Sequence, residues 1–213
     1  MMKPVKTGEV LPNIFAIATG MVNFYLVRKN QKYIAFDAGA SASTAEQELS
    51  KLNISPDDVA AVFLTHTDSD HTGAIGLLKQ AKVFISKQEE QMIDGNTRRS
   101  VLLGNNKLKC SYETLDDGSS VDINGININC IETPGHTKGS ACYIADGKYL
   151  FSGDSFALKD GKAKPFTAFF NMDGKEHRKS IAKISSLENI TAIFTGHNGY
   201  SEDFAKTFQD WRI

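Results

Sequence analysis

Read as a pattern of apolar and polar positions, the chain opens with three β-like runs. NIFAIA, VNFYLVR and KYIAFDAG are separated by short polar turns such as Lys29-Asn30-Gln31, which predicts an antiparallel meander. Thr44 to Leu52 has helical spacing, Ser55-Pro56-Asp57 reads as a turn, and the apolar run Val59 to Leu64 predicts a buried strand ending just before His66. Thr72 to Gln80, with Ile75 and Leu78 on one face, suits a helix, and Lys82 to Ser86 a short strand. Residues 87–111 keep no sustained period and are expected to make a mobile excursion over the surface. In SSVDINGININCIE and ACYIADGKYLFS, Asn124-Gly125 and Asp146-Gly147 supply the positive φ of a type I′ turn, so two hairpins follow. Glu176 to Leu187 carries Ile181, Ile184 and Leu187 at helical spacing, and Ala192 to Thr195 is a strand. Phe204, Phe208 and Trp211 mark a closing amphipathic helix.

Helix and strand alternate, and no low-complexity linker, solenoid repeat or charge run divides the 213 residues. A single α/β domain over 1–213 is therefore expected. Hydrophobic residues at 41% and charged residues at 23% are ordinary globular usage. Lys+Arg 24 against Asp+Glu 25 gives a formal net charge of -1, which draws the chain neither to nucleic acid nor to an anionic membrane. No apolar run reaches membrane-spanning length, and no apolar stretch follows the early lysines, so a cytoplasmic location is expected. The partner expected is a small-molecule substrate, and a homodimer is left open. Cys110, Cys130 and Cys142 are odd in number, lack C-x-x-C spacing and read as buried reduced thiols.

The histidines carry more information. AAVFLT leads into His66, INCIETPG into His136, KYLFSG into Asp154 and TAIFTG into His197. Four apolar strands thus each end by delivering a ligand-type residue, where α/β proteins build their sites. Any one of these alone would more often be a structural residue; the repetition favours a metal. The stretch HTDSDH adds Asp68, Asp70 and His71, and seven such ligands suit two ions sharing one carboxylate. His177, among charges in GKEHRKS, reads as a solvated surface residue. Arg98 and Arg99 read as a solvated pair, with contact to an anionic substrate the minority reading.

In these motifs the sequence resembles the metallo-β-lactamase-fold hydrolases, with the glyoxalase II-like branch nearest in wording. The family pattern H-x-H-x-D-H, T-P-G-H-T, S-G-D and G-H is met here by HTDSDH, TPGHTKGS, FSGDSF and FTGHNGY, in that order. The resemblance implies a four-layer αββα sandwich with metals at one edge. It also implies His66, Asp68 and His136 on a first ion, Asp70, His71 and His197 on a second, and Asp154 bridging. Two divalent ions, zinc foremost, would supply a bridging hydroxide that hydrolyses an ester, thioester, lactone, amide or phosphoester, with Asp70 helping to orient it. Asp68 stands where the family usually has histidine, and its harder oxygen admits iron or manganese. The alternatives are a mononuclear iron oxygenase of the sulfur dioxygenase type, a protein with one metal at the second site, and a non-catalytic metal binder. A hydroxyacylglutathione hydrolase is less expected, because those enzymes add a C-terminal helical domain and this chain ends about 16 residues after His197. Phe169, Phe170, Asn198 and Tyr200 are the weaker candidates for substrate contact.

Overall fold

The computed structural model describes residues 2–99, 105, 107–166 and 168–212. A first sheet contains β1 (Gly8–Leu11), β2 (Ile14–Ala18), β3 (Asn23–Lys29), β4 (Lys32–Phe36), β5 (Val59–Leu64), β6 (Lys82–Ser86) and β7 (Glu113–Leu115), in that spatial order. It is antiparallel as far as β4 and parallel from β4 to β7. The change of direction needs a crossover, and helix α1 (Ala42–Lys51) supplies it, capped by Ser41 accepting from the Thr44 amide. A second sheet takes β8 (Ser120–Ile123), β9 (Ile126–Glu132), β10 (Ala141–Ala145) and β11 (Tyr149–Gly153). Beyond a small separate hairpin, β12 (Ala157–Lys159) and β13 (Lys162–Lys164), it is completed by β14 (Ala192–Thr195) and β15 (Gly199–Ser201). Its spatial order is β15-β14-β11-β10-β9-β8.

The central strands are apolar throughout because both of their faces are covered. In β5, Ala61 and Phe63 face the second sheet while Val62 and Leu64 face α1. In β10, Ala141, Tyr143 and Ala145 face the first sheet, and Cys142 and Ile144 pack under the helices outside. The two sheets lock through aromatic contacts such as Phe36 on Phe151, with ring centroids 3.7 Å apart, and Phe63 against Tyr143 at 5.2 Å. Helix α4 (Gly174–Ser185) buries Ile181 and Ile184 against the outer face of the second sheet, so the layers run α, β, β, α.

Two predicted helices come out differently. The span from Thr72 to Gln80 is broken into α2 (Ser69–Thr72) and a 3-10 turn over Ile75–Leu77. A Cβ on Gly73 would lie 2.2 Å from the Ala40 carbonyl, and the Gly73 amide donates to Gly39 O, so this turn is pinned to the β4–α1 loop instead of continuing as helix. That docking is what places His71. At the end of the chain, α5 (Phe204–Thr207) stops after one turn. Phe204 and Phe208 are buried as expected, but Trp211 turns to give its indole N–H to Ala163 O. Lys87–Glu89 forms a 3-10 turn continuing into α3 (Glu90–Ile93). The expectation of irregular chain at 100–104 and 106 lies outside the described residues. No helix among the described residues is long and apolar enough to cross a membrane.

Candidate metal centre

β9, β11 and β14 run parallel to one another, so the residues after their C-terminal ends gather at one edge. β5 in the other sheet reaches the same edge, joined there by the Ala141 amide donating to Thr65 O. His66, His136, Asp154 and His197 are thereby brought together, and α2 adds Asp70 and His71. The crowding explains the glycines that precede Asp154 and His197. A Cβ on Gly153, at φ +48, would lie 2.1 Å from Thr65 Oγ1, and one on Gly196 would lie 2.7 Å from Asp154 Oδ1 and from the His71 ring.

Each of the four imidazoles is held through Nδ1 by an acceptor, which fixes its tautomer. His197 Nδ1 donates to the Met21 carbonyl at 2.7 Å, and His71 Nδ1 to Asp37 at 2.8 Å. His66 Nδ1 donates to Thr65 Oγ1 at 3.1 Å, because the Thr65 hydroxyl spends its own proton on Asp37. His136 Nδ1 donates to Asn171 Oδ1 at 3.3 Å, with the Asn171 amide oriented by its bond to Phe166 O. All four Nε2 atoms therefore carry a lone pair, and they face carboxylates that also lack protons. His197 Nε2 is 3.2 Å from Asp154 Oδ2 and 3.4 Å from Asp70, and His71 Nε2 is 3.5 Å from Asp154 Oδ1. His66 Nε2, His71 Nε2 and Asp154 Oδ1 are buried with no hydrogen-bond partner among the described residues. Lone pairs converging on one another without hydrogens between them fit a bound cation.

Two groups have donor atoms within 4.8 Å of one another: His66, His136 and Asp154, and Asp70, His71 and His197. Either could hold a metal ion. The surrounding electrostatics agree in sign. Burial alone would raise Asp154, but His71 and His197 outweigh it and hold its carboxyl well below the usual carboxylate range. Burial would lower His71, and Asp37, Asp154 and Asp70 overcome it and push the ring well above its ordinary value. His197 is raised in the same way, chiefly by Asp154. Without an ion these nitrogens would take up protons, so metal and proton compete for the same lone pairs.

Asp68 sits differently from the arrangement the family resemblance implies. It is outside both groups, and its carboxylate is held in a fork by Arg99: Nε to Oδ1 at 2.9 Å and to Oδ2 at 3.1 Å, Nη2 to Oδ2 at 2.9 Å. Burial works against the Asp68 charge, and His136, His66 and Arg99 around it hold its carboxyl far below the usual range. Arg99 is thus no solvated loop cation; it is only 5% exposed. His177 is also buried, not a surface residue, and accepts from the Phe166 amide at 3.4 Å. A cavity of about 380 Å³ opens over the centre, walled by Phe166, Phe170 and Met2 and floored by Asp70, His136 and His197. Phe170 therefore lies where substrate contact was expected, while Phe169 is exposed outside this lining. Tyr200 instead packs in the inter-sheet core on Phe194, with ring centroids 5.9 Å apart, and the Asn198 amide donates to Thr195 Oγ1.

Sequence reasoning passed over two buried carboxylates that hold the site. Asp37, at φ +65 after β4, accepts from the Thr65 amide and hydroxyl as well as from His71. Glu89 accepts from the Thr67 amide and hydroxyl, from Thr137 Oγ1 and from the Gly139 amide. Asp37 repeats the signal that marked Asp154, a carboxylate at the end of an apolar strand. Glu89 lies in a charged stretch and gives no such signal. The cysteines are free and none belongs to either ligand group.

An αββα sandwich with histidines and carboxylates gathered at one sheet edge defines a fold class, and solved structures share it. A subclass B3 metallo-β-lactamase from a soil metagenome superposes with a TM-score of 0.71 at 22% identity, covering 91% of this chain and 80% of its own. A metallo-β-lactamase superfamily protein from Sulfolobus tokodaii gives 0.69 at 22% identity, covering 93% and 84%. Residues 17–89 match the Metallo-beta-lactamase superfamily, and the chain carries a domain of that superfamily. Among curated relatives, a probable metallo-hydrolase of Methanocaldococcus jannaschii is 31% identical, over 71% of this chain and 63% of its own length. A hydroxyacylglutathione hydrolase of Rhizobium meliloti is 30% identical, over 64% of this chain and 47% of its own length. The matched region spans roughly half to two thirds of these relatives.

Proposed function

We propose that the protein is a metal-dependent hydrolase that cleaves an ester, thioester, lactone, amide or phosphoester bond of a small molecule. One observation carries the reading: the imidazole lone pairs of His66, His71 and His197, set by their Nδ1 partners, converge with Asp70 and Asp154 beneath a cavity of small-molecule size. A divalent ion held there would act as a Lewis acid and make a coordinated water acidic enough to attack at neutral pH. The remaining work falls to the chain itself. Asp70 is partly open to the cavity, its Oδ2 3.4 Å from His197 Nε2, where it can orient an attacking water and receive its proton. Phe166 and Phe170 exclude solvent on one side, and Asp37 keeps the His71 ring aimed inward. Assaying the zinc-loaded wild type and His71→Ala on a panel of these five bond types tests the proposal. Hydrolysis of at least one, lost in the variant, is expected; equal rates for both proteins across the panel would refute it.

Iron oxygenase chemistry is a second reading with its own support, since each ligand group pairs two imidazoles with one carboxylate, the set typical of non-haem iron. Protein prepared anaerobically with ferrous iron would then consume oxygen on addition of a persulfide. Zinc-dependent hydrolysis without such uptake decides for the hydrolase.

A further inference from the structure

The two ligand groups are not equivalent, and Arg99 makes them so. Its Nη2 lies 2.9 Å from Asp68 Oδ2, 2.8 Å from Phe170 O and 3.2 Å from His136 Nε2, so two hydrogens serve three acceptors, while Nε engages both oxygens of Asp68. His136 Nε2 thus faces a cationic N–H group at 3.2 Å, which a metal on that lone pair would have to displace. Asp68 is engaged by the same guanidinium. In that half of the centre only His66 Nε2 is left as an imidazole donor without a partner, and a permanent cation stands beside the place where another would have to sit. The other half has no such cation among the described residues. His71 Nε2 and Asp154 Oδ1 are buried with no hydrogen-bond partner among the described residues, and His197 Nε2 faces only carboxylates, Asp154 Oδ2 at 3.2 Å and Asp70 Oδ2 at 3.4 Å.

We propose that the Arg99 guanidinium takes the place of the first divalent ion, with Asp68 as its counter-ion instead of a metal ligand, so that the chain binds one ion, at Asp70, His71, Asp154 and His197. This inference rests on the reading of the site as a metal centre. It explains why Asp68 is an aspartate: a carboxylate matches the planar fork of a guanidinium, which an imidazole cannot do. Arg99 is then a positioning residue. It joins Asp68 to the cavity wall at Phe170 O, and its own amide donates to Asn105 Oδ1.

Metal content measured after gel filtration, together with zinc titration against a coloured chelator, tests this without reference to activity. Wild type is expected to hold one ion per chain. Arg99→Met, which frees His136 and Asp68, is expected to gain a second, and Arg99→Lys, which keeps a cation there, to stay at one. His66→Ala should keep its ion and His71→Ala should lose it. Two ions in the wild type, with no change in Arg99→Met, would overturn the inference while leaving the metal centre intact. Failure of the wild type to bind zinc, cobalt, manganese or ferrous iron would overturn both. Because the wild-type count alone decides between one and two, the result stands even if Arg99→Met does not fold.

Discussion

The two halves of the centre are built from the same residue types and supported in different ways. The half with Asp70, His71 and His197 is held by Asp37, which grips His71 directly, and by a backbone carbonyl on His197. The half with His66 and His136 has neutral acceptors at Nδ1, Thr65 Oγ1 and Asn171 Oδ1, and Glu89 ties together the loops on which they sit, through Thr67, Thr137 and Gly139. Both halves are braced at ring Nδ1, one by a carboxylate and a backbone carbonyl, the other by a hydroxyl and a side-chain amide, and only the second adds Glu89 at its loops. A brace at the donor atom fixes ring orientation and basicity, which governs metal affinity. A brace at the backbone governs whether the loops fold against each other at all.

The sharpest way to break this contrast is to remove one imidazole from each half. His71→Ala should lower turnover on the order of a thousandfold, the scale of losing several kcal/mol of Lewis-acid stabilisation, and should empty the site of metal. His66→Ala should retain the ion. Equal metal loss in the two variants would show the halves to be equivalent. Next in size are the braces. Asp37→Asn should weaken zinc affinity by roughly ten- to a hundredfold, as seen when outer partners of ligands are removed, measured by chelator competition. Glu89→Ala leaves four buried donor bonds without their acceptor, and should cost about 3 kcal/mol in urea unfolding with far less effect on the remaining ion.

A smaller effect comes from acid. Burial pushes His177 down to about 4 from an ordinary 6.5. Between those two values the unfolded chain binds a proton that the folded chain excludes, so stability falls as pH drops through this window. The loss is on the order of 3 kcal/mol by pH 4. His177→Gln should flatten the dependence of the urea midpoint between pH 6.5 and 4. The smallest change belongs to Phe169, 69% exposed beyond the cavity lining, where alanine should leave kcat unchanged and move KM little.

Much of this was legible in the sequence where a local rule and the tertiary structure agree. Strands buried on both faces read as unbroken apolar runs, so β5, β6 and β14 fall where the pattern puts them. The Asn124-Gly125 and Asp146-Gly147 turns fix their hairpins because few other dipeptides take two positive φ values in succession. Ligand candidates were legible because each follows such a strand. What escaped was decided by contacts distant in sequence. Gly73 ends a helix that the periodicity extends, because the β4–α1 loop is packed on it. His177 looks solvated among Lys, Glu and Arg, yet it is buried where Gly135 and Phe166 pack on that face of α4. Arg99 meets Asp68 from 31 residues away, and nothing local to either residue announces the pairing.

The central claim is that the Asp70–His71–His197 half holds the ion and that Arg99 fills the other. A crystal structure of the zinc-loaded protein, with anomalous differences recorded at the zinc edge, tests it most directly. One peak is expected, bounded by His71, His197, Asp70 and Asp154, with Arg99 still forked on Asp68. A peak between His66 and His136, with Arg99 displaced from both, would contradict it.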